Sequence, residues 1–322
     1  MTLPLTPTLP LAGAEQHALR EVWGNELVSL AAVHPDLVVV DGDLANSTRA
    51  DIFAAAVPDR FFELGIAEQN LLGVAAGLAT VGYVPWVSTF VPFLAKRALD
   101  QIRVVIAQPG LNVKMCGGYS GILTGKTGKT HQSVEDITVF RAMPGVVTIV
   151  PADAVELRSA MAAMQAHHGP VYLRLTRDPG PTIFPAGHQF EIGRAVLLRD
   201  GADVGIISTG VETVRALEAV DLLAAEGIAA SLLHVPTIKP LDVAAIVAVA
   251  ERTNRIVTAE DHTIIGGLGG AVAEVLGEHR PTRMKRIGWN DVWGESAPND
   301  YLLEKYGLNA DHIAAAARGL IS

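Results

Sequence analysis

The chain has 322 residues, 49% of them hydrophobic and 18% charged, with a formal net charge of −9. That is apolar material enough for two folded domains of the usual ~100–200 residues, and it excludes a disordered chain. The acidic balance argues against nucleic acid or an anionic membrane as the main partner. The single cysteine, Cys116, excludes an intrachain disulfide; it reads as a small buried hydrophobe and fits a reducing compartment.

The first fourteen residues, Met1–Ala14, carry Pro4, Pro7 and Pro10 and no basic residue, unlike a secretory signal. No apolar run reaches the ~20 residues that span a bilayer. A flexible tail over 1–14 and a cytoplasmic protein are expected. Gln16 to Val33 has helical spacing of Leu19, Val22, Trp23, Leu27 and Leu30, ended by His34-Pro35. Leu37-Val38-Val39-Val40 is a continuous apolar run, the pattern of a strand buried on both faces. Asp41-Gly42-Asp43 follows at its carboxyl end, where ligands gather in open α/β sheets, though turn formation alone also accounts for it. Asn46-Ser47-Thr48 offers N-cap chemistry for the next helix.

Phe61 to Leu64 is strand-like and runs into Gly65. Then come Glu68 and the apolar run Leu71–Ala79, which reads as a helix apolar on every face. Glu68 thus falls in the first turn, where free N–H groups and the dipole favour a carboxylate, but among buried residues, where desolvation favours the acid. The conflict points either to a carboxylic acid that shares a proton with a ligand or to a capping glutamate facing solvent. Tyr83–Thr89 is a second strand ending at Phe90; Phe93–Val105 reads as a helix and Leu111–Met115 as a third strand. Cys116–Thr130 is a glycine- and threonine-rich loop, long for a compact domain and of the kind that carries function. His131 is expected to open the next helix. Val146–Val150 and Val171–Leu175 are strands flanking a helix over Ala154–Ala166. The alternation predicts a parallel, doubly wound sheet.

Breakers cluster from Asp178-Pro179-Gly180-Pro181 to Pro185-Ala186-Gly187, which sets the expected boundary: one domain over 15–185, a smaller α/β domain over 186–322. In the second, Val204–Ser208, Ala229–Val235 and Ile256–Glu260 read as strands, with helices over Val211–Glu226, Asp242–Arg252 and Gly269–Gly277. Two glycine motifs fail as nucleotide sites. Counting back from Gly125 or Gly128 for a phosphate loop reaches Ser120 or Leu123 rather than glycine, and Gly267-x-Gly269-x-x-Val272 lacks the third glycine of the dinucleotide fingerprint. The first is a basic loop able to hold an anion, the second a tight strand-to-helix packing point.

Gly65-Ile66-Ala67-Glu68-Gln69-Asn70, followed by Ser88-Thr89-Phe90 and Phe93, resembles the pyrimidine-binding domain of the transketolases. The resemblance runs from about Arg20 to the C-terminus. It matches the second half of a full-length transketolase and looks most like the C-terminal subunit of the split enzymes. It implies thiamine diphosphate as cofactor, with Glu68 catalytic at N1′ of the aminopyrimidine and Phe90, Phe93, Asp43 and Ile66 around the cofactor. The third aromatic of full-length members is Lys96 here. His131 would be catalytic at the reacting end, and Arg20, Ser47 and Arg177 would hold the sugar's anionic group. Tyr119 stands where the family has a phosphate-binding histidine, Thr127 where it has the aspartate that reads the donor's C2 hydroxyl, and Lys126 where it has an acidic residue; Lys129 adds a second charge. These departures imply an anionic ketose donor, phosphorylated or sulfonated, outside the usual set. The family's Gly-Asp-Gly metal motif is missing, Asp41-Gly42-Asp43 having the wrong order. The resemblance therefore implies no metal ligand on this chain, Mg2+ or Ca2+ held by an N-terminal partner subunit, and an α2β2 assembly. The β subunit of a 2-oxoacid dehydrogenase and a non-catalytic binding subunit remain alternatives.

Overall fold

A computed structural model describes residues 3–322. The first domain contains, in order, β1 (Gln16–Ala18), α1 (Leu19–Ala31), β2 (Leu37–Asp41), α2 (Ala45–Thr48), α3 (Ala50–Ala56), β3 (Phe61–Glu63), α4 (Glu68–Thr80), β4 (Val84–Phe90), α5 (Leu99–Gln101), β5 (Lys114–Gly118), α6 (Asp136–Ala142), β6 (Val147–Ile149), α7 (Ala154–Ala166), β7 (Val171–Arg174) and β8 (Pro179–Pro181). The second contains β9 (Val196–Arg199), β10 (Val204–Ser208), α8 (Glu212–Ala225), β11 (Ala230–His234), β12 (Thr237–Lys239), α9 (Val243–Thr253), β13 (Arg255–Thr263), α10 (Leu268–His279), β14 (Arg283–Trp289), α11 (Asn299–Tyr306) and α12 (Ala310–Ile321).

The main sheet of the first domain has the order β12-β6-β7-β5-β4-β2-β3. Its own strands are all parallel; only β12, reaching across from the second domain, pairs antiparallel. Strands β2 and β4 are buried at every position, as their unbroken apolar runs demand when helices cover both faces. One face packs Trp23 of α1 and Leu157 and Met161 of α7 against Trp86. The other packs Leu71 and Leu72 of α4 against Leu94, Ile102 and Phe140. The second sheet, β14-β13-β10-β11-β9, is parallel except for β9. Parallel strands put their carboxyl ends on one edge, so Asp41, Phe90 and Gly118 emerge side by side there.

Several expected boundaries move. The stretch expected as a flexible tail is held from residue 3 on: Leu3 packs on the second domain's core, Thr6 N–H donates to Leu197 O there (2.8 Å), and Leu9 N–H donates to Ile183 O at the end of the first domain (2.8 Å). Met1 and Thr2 lie outside the described residues. The first helix starts at Leu19, because Gln16–Ala18 pairs antiparallel with β8. Asn46, Ser47 and Thr48 do not cap the next helix. They form α2 themselves, and α3 follows a left-handed Arg49 (φ 72°) with no side-chain cap. Helix α4 is not buried all round; Gln69, Asn70, Gly73 and Gly77 face outward. Phe93–Val105 is not one α-helix: π-helical turns at Phe93–Arg97 and Ile102–Ala107 flank α5. The third strand begins at Lys114 and takes Cys116–Gly118 from the expected loop.

Lys114 is fully buried at the start of β5. Its ammonium donates to Asn112 Oδ1 (2.6 Å), His167 O (2.6 Å) and Gly169 O (3.1 Å). Burial pushes its pKa down to about 7. Gly267 is a packing point, as expected: a Cβ there would lie 2.1 Å from Glu260 Oε2, and that carboxylate accepts Leu268 N–H (2.6 Å) and Gly269 N–H (2.8 Å) at the start of α10.

Candidate active site

Glu68 opens α4 immediately after the turn from β3, where Gly65 takes φ 71°. Its residue exposure is 1%. Both carboxylate oxygens accept from a single nitrogen, Arg97 Nη1, at 2.8 and 2.7 Å. Glu68 is therefore neither a lone acid nor a solvent-facing cap: its partner is a guanidinium supplied by the π-helical turn. Arg97 in turn lies 4.5 Å from the centroid of the Phe93 ring, in cation–π range. The apolar neighbours Leu94, Ala95 and Ala98 concealed this arginine; the signal was the basic pair Lys96-Arg97 in a stretch otherwise suited to burial.

Phe90 ends β4 and Tyr119 follows β5, and adjacent parallel strands bring their rings to 4.0 Å. Tyr119 takes φ 62°, uncommon for a residue with a side chain, and is 6% exposed. Phe93 lies 6.1 Å from Phe90, and His131 meets both rings edge-on at 5.9 and 5.4 Å. His131 does not open the following helix. It sits in a turn, its N–H on Gly128 O (3.0 Å), and α6 starts only at Asp136. Its Nδ1 shares a hydrogen bond with Thr130 Oγ1 (2.9 Å).

Two arginines converge on Tyr119. Arg20 Nη1 donates to the Tyr119 hydroxyl (3.2 Å) and to Ser47 O (2.9 Å). The Arg177 guanidinium lies 5.4 Å from the Tyr119 ring centroid and donates to Asp178 Oδ1 (2.9 Å). The buried Nε atoms of both arginines have no acceptor among the described residues. Such unspent donors suit an anion. Arg177 also lines a cavity of about 590 Å³ with Thr124, Lys126, Thr127, Asp178 and Asn299. Lys126 and Thr127 are exposed at its mouth, and Lys129 is exposed one turn further along the loop. Lys96 pairs with Glu135.

Asp43 and Ile66 stay outside this cluster. Both are exposed, Ile66 at 71%. Asp43 is left-handed (φ 63°), and its backbone N–H donates to Glu63 Oε1 (2.9 Å). Behind it, burial pushes the Asp41 carboxyl up to about 6, opposed by hydrogen bonds from Ser88 and Leu44 N–H. Among the described residues no three His, Cys, Asp or Glu side chains come close enough to hold a metal ion. The sequence reading also missed Asp178 and Asn299, whose amide donates to Asp178.

The profile of the family Transketolase, pyrimidine binding domain matches residues 15–181, and that of Transketolase, C-terminal domain matches residues 193–313. A 6-deoxy-6-sulfo-D-fructose transketolase subunit from Clostridium sp. is 42% identical over 94% of this chain and 94% of its own length. A putative transketolase C-terminal section from Methanocaldococcus jannaschii is 42% identical over 92% and 94%. A solved structure described as a split gene transketolase, inactive beta4 tetramer, is 46% identical over 94% of this chain and 98% of that one, with a TM-score of 0.89. With both halves matched in order and relatives this close along nearly its whole length, the chain belongs to the transketolase family.

Proposed function

We propose that this chain is the C-terminal subunit of a split transketolase that moves a two-carbon ketol unit from an anionic ketose to an aldose. One observation carries the reading: Glu68, the Phe90–Phe93 wall, His131 and the Arg20–Tyr119–Arg177 cluster form a continuous strip along the carboxyl edge of one sheet. Residues 15–185 and 186–322 are taken as its pyrimidine-binding and C-terminal domains.

The strip fits the pyrimidine half of thiamine diphosphate. A flat ring needs an apolar wall, which Phe90 and Phe93 offer. A carboxylate has about four lone-pair directions, so the contact with Arg97 leaves Glu68 room for another donor. Thiamine diphosphate, when bound, supplies the nucleophilic carbon that carries the two-carbon unit. Glu68 holds a hydrogen bond at N1′ of the pyrimidine and moves a proton there. His131 orients the sugar's hydroxyl and carbonyl groups beside the aromatic wall, within reach for proton transfer. Arg20 and Arg177 bind the terminal anion through planar forks with donors to spare, and Ser47 borders them. Lys126 and Thr127 meet the sugar at the cavity mouth, with Lys129 adding long-range attraction. Asp43 and Ile66, exposed in this chain, complete the cofactor site against an N-terminal partner. That partner holds Mg2+ or Ca2+ through a Gly-Asp-Gly motif, in an α2β2 assembly in the cytoplasm. The names of the relatives support the split and the anionic donor: one is a subunit acting on a sulfonated fructose, and another is an inactive tetramer of β chains alone.

The test is co-expression with the N-terminal subunit, followed by an assay of ketol transfer from phosphorylated and sulfonated ketoses. Release of carbon dioxide from 2-oxo acids without ketol transfer would replace this reading with that of a 2-oxoacid dehydrogenase.

A further inference from the structure

The loop bearing Tyr119, Lys126 and His131 leaves the first sheet but is held by the second domain. Gly121, at φ 68°, faces Asp261 of β13 so closely that a Cβ would lie 1.8 Å from Asp261 Oδ2. Ile122 N–H donates to Asp261 Oδ1 at 3.0 Å. The next residue, His262, accepts Ile137 N–H (3.1 Å) in the first turn of α6, beyond the loop's far end. Between these two ties Arg174 Nη2 donates to Asp261 O (2.7 Å) and Arg174 Nε to Asp136 Oδ2 (2.8 Å), which also accepts the Tyr172 hydroxyl (2.6 Å). A second set of contacts comes from the segment between β14 and α11. Ser296 Oγ donates to Lys126 O (2.6 Å), and Gln132 Nε2 to Glu295 O (2.9 Å). Gly125 packs so tightly here that a Cβ would lie 3.0 Å from Ala297 O in this segment and 2.5 Å from Oδ1 of Asn299, the first residue of α11.

Asp261 is a costly way to join two domains. It is 2% exposed, its Oδ2 has no hydrogen-bond partner, and the nearest cation, Arg174 Nη1, is 3.9 Å away. A buried charge so placed gives up more solvation than it recovers, and an apolar residue would pack at lower cost. Its one short side-chain contact is to the loop. We infer that the second domain acts as a clamp on the active-site loop, with Asp261 the positioning residue that fixes Tyr119 and His131. The link to catalysis rests on the function proposed above; the clamp itself does not.

Hydrogen–deuterium exchange on the full chain tests it. In Asp261→Ala, peptides spanning 119–132 should exchange about tenfold faster or more, the scale of one lost hydrogen bond to a charged group. Val272→Ala, which opens a hole in the second domain's core without touching the loop, should lower the melting temperature but leave those peptides protected. Gly121→Ala reaches the same contact from the loop side and should reproduce the exchange signature, so it decides the matter if Asp261→Ala does not fold. In the two-subunit enzyme Asp261→Ala should lose about 10- to 100-fold in kcat, the cost of a small misplacement, with thiamine diphosphate affinity unchanged because Glu68, Phe90 and Phe93 lie outside the loop. Unaltered protection of 119–132 in the folded variants, or equal loosening by Val272→Ala, overturns the clamp. Absence of any ketol transfer, with the exchange result as expected, would sink the functional reading and leave the clamp standing.

Discussion

Glu68 and Arg97 show what a single position can and cannot reveal in sequence. The place of Glu68 was readable, since a glycine, a carboxylate and an apolar run in that order describe a buried acid at a helix start. Its partner was not, because no helical periodicity aims Arg97 at α4; the π-helical turn after β4 does. Glu68→Gln keeps the volume and a carbonyl acceptor but cannot carry the proton. Activity should fall by about two powers of ten or more, with the circular dichroism spectrum and melting temperature little changed. A variant that keeps most of its activity would leave Glu68 a structural partner of Arg97 with no part in the chemistry. Arg97→Ala leaves a buried carboxylate unpartnered and should cost about 1–3 kcal/mol. Since both variants disrupt one ion pair, denaturation of the single and double variants should give a coupling energy of about 0.5 kcal/mol or more. Strict additivity would mean that the pair does not form in solution.

At the scale of elements, what was legible were strands buried on both faces and helices with clean stops. Leu37–Val40 and Ala154–Ala166 lie where the apolar run and the helical pattern put them. What escaped were elements whose register depends on a distant partner. Gln16–Ala18 is a strand only because Pro179–Pro181 lies beside it, and α6 starts at Asp136 rather than His131 because Arg174 and Tyr172 hold that carboxylate in the interior. Strand β5 hides a further surprise in Lys114, whose ammonium is buried among three acceptors. Its folded pKa is lowered to about 7 against an ordinary 10.5, so between those values the unfolded chain binds more protons than the folded one. Stability should therefore rise with pH across that window, and the full penalty applies below it. Cys116 acts in the opposite sense, since burial pushes its folded thiol up to about 12 and the unfolded thiol loses its proton first as pH rises; comparison with Lys114→Met, which keeps Cys116, removes that contribution. Urea denaturation at pH 7 and pH 10 checks the sign: wild type should gain on Lys114→Met as pH rises. A constant difference would mean that the three acceptors hold the ammonium charged throughout.

On the function proposed above, the whole molecule is half of a site. The two-domain α/β architecture was readable from the alternation of elements and the breaker cluster near 180, whereas the second domain's hold on the loop was not, since Asp261 and Asn299 lie far from it in sequence. The chain alone should bind thiamine diphosphate weakly and turn nothing over, and the N-terminal subunit should restore both; full activity of the purified single chain would refute the division of labour. On the proposed reading, which sugar that assembly accepts is expected to depend on the loop. Tyr119 is spent on Phe90 and Arg20, which places an aromatic hydroxyl between two guanidinium groups where the wider family has a histidine. Thr127 offers a hydroxyl able to donate or accept, where a carboxylate would only accept, and a site built to pair one sugar hydroxyl leaves its own groups unpaired with the wrong one. Arg177 and Lys126 line one cavity, and Arg20 meets Arg177 across Tyr119. The expected donor is thus an anionic ketose outside the common pentose-phosphate set, a sulfonated or branched-chain sugar among them. Kinetics of the two-subunit enzyme on a panel of ketoses decides this. Xylulose 5-phosphate and fructose 6-phosphate emerging as best donors by a wide margin would mean that Tyr119 and Thr127 do not set specificity. Within that assay Lys126→Glu, at the cavity mouth beside Arg177, should raise KM for the anionic donor about tenfold or more, as loss of a charge-assisted contact and gain of a repulsive one requires. Lys129→Glu, outside the cavity, should act mainly on association and fade as salt is raised. Equal effects of the two at high salt would place the anion on the loop's outer face instead.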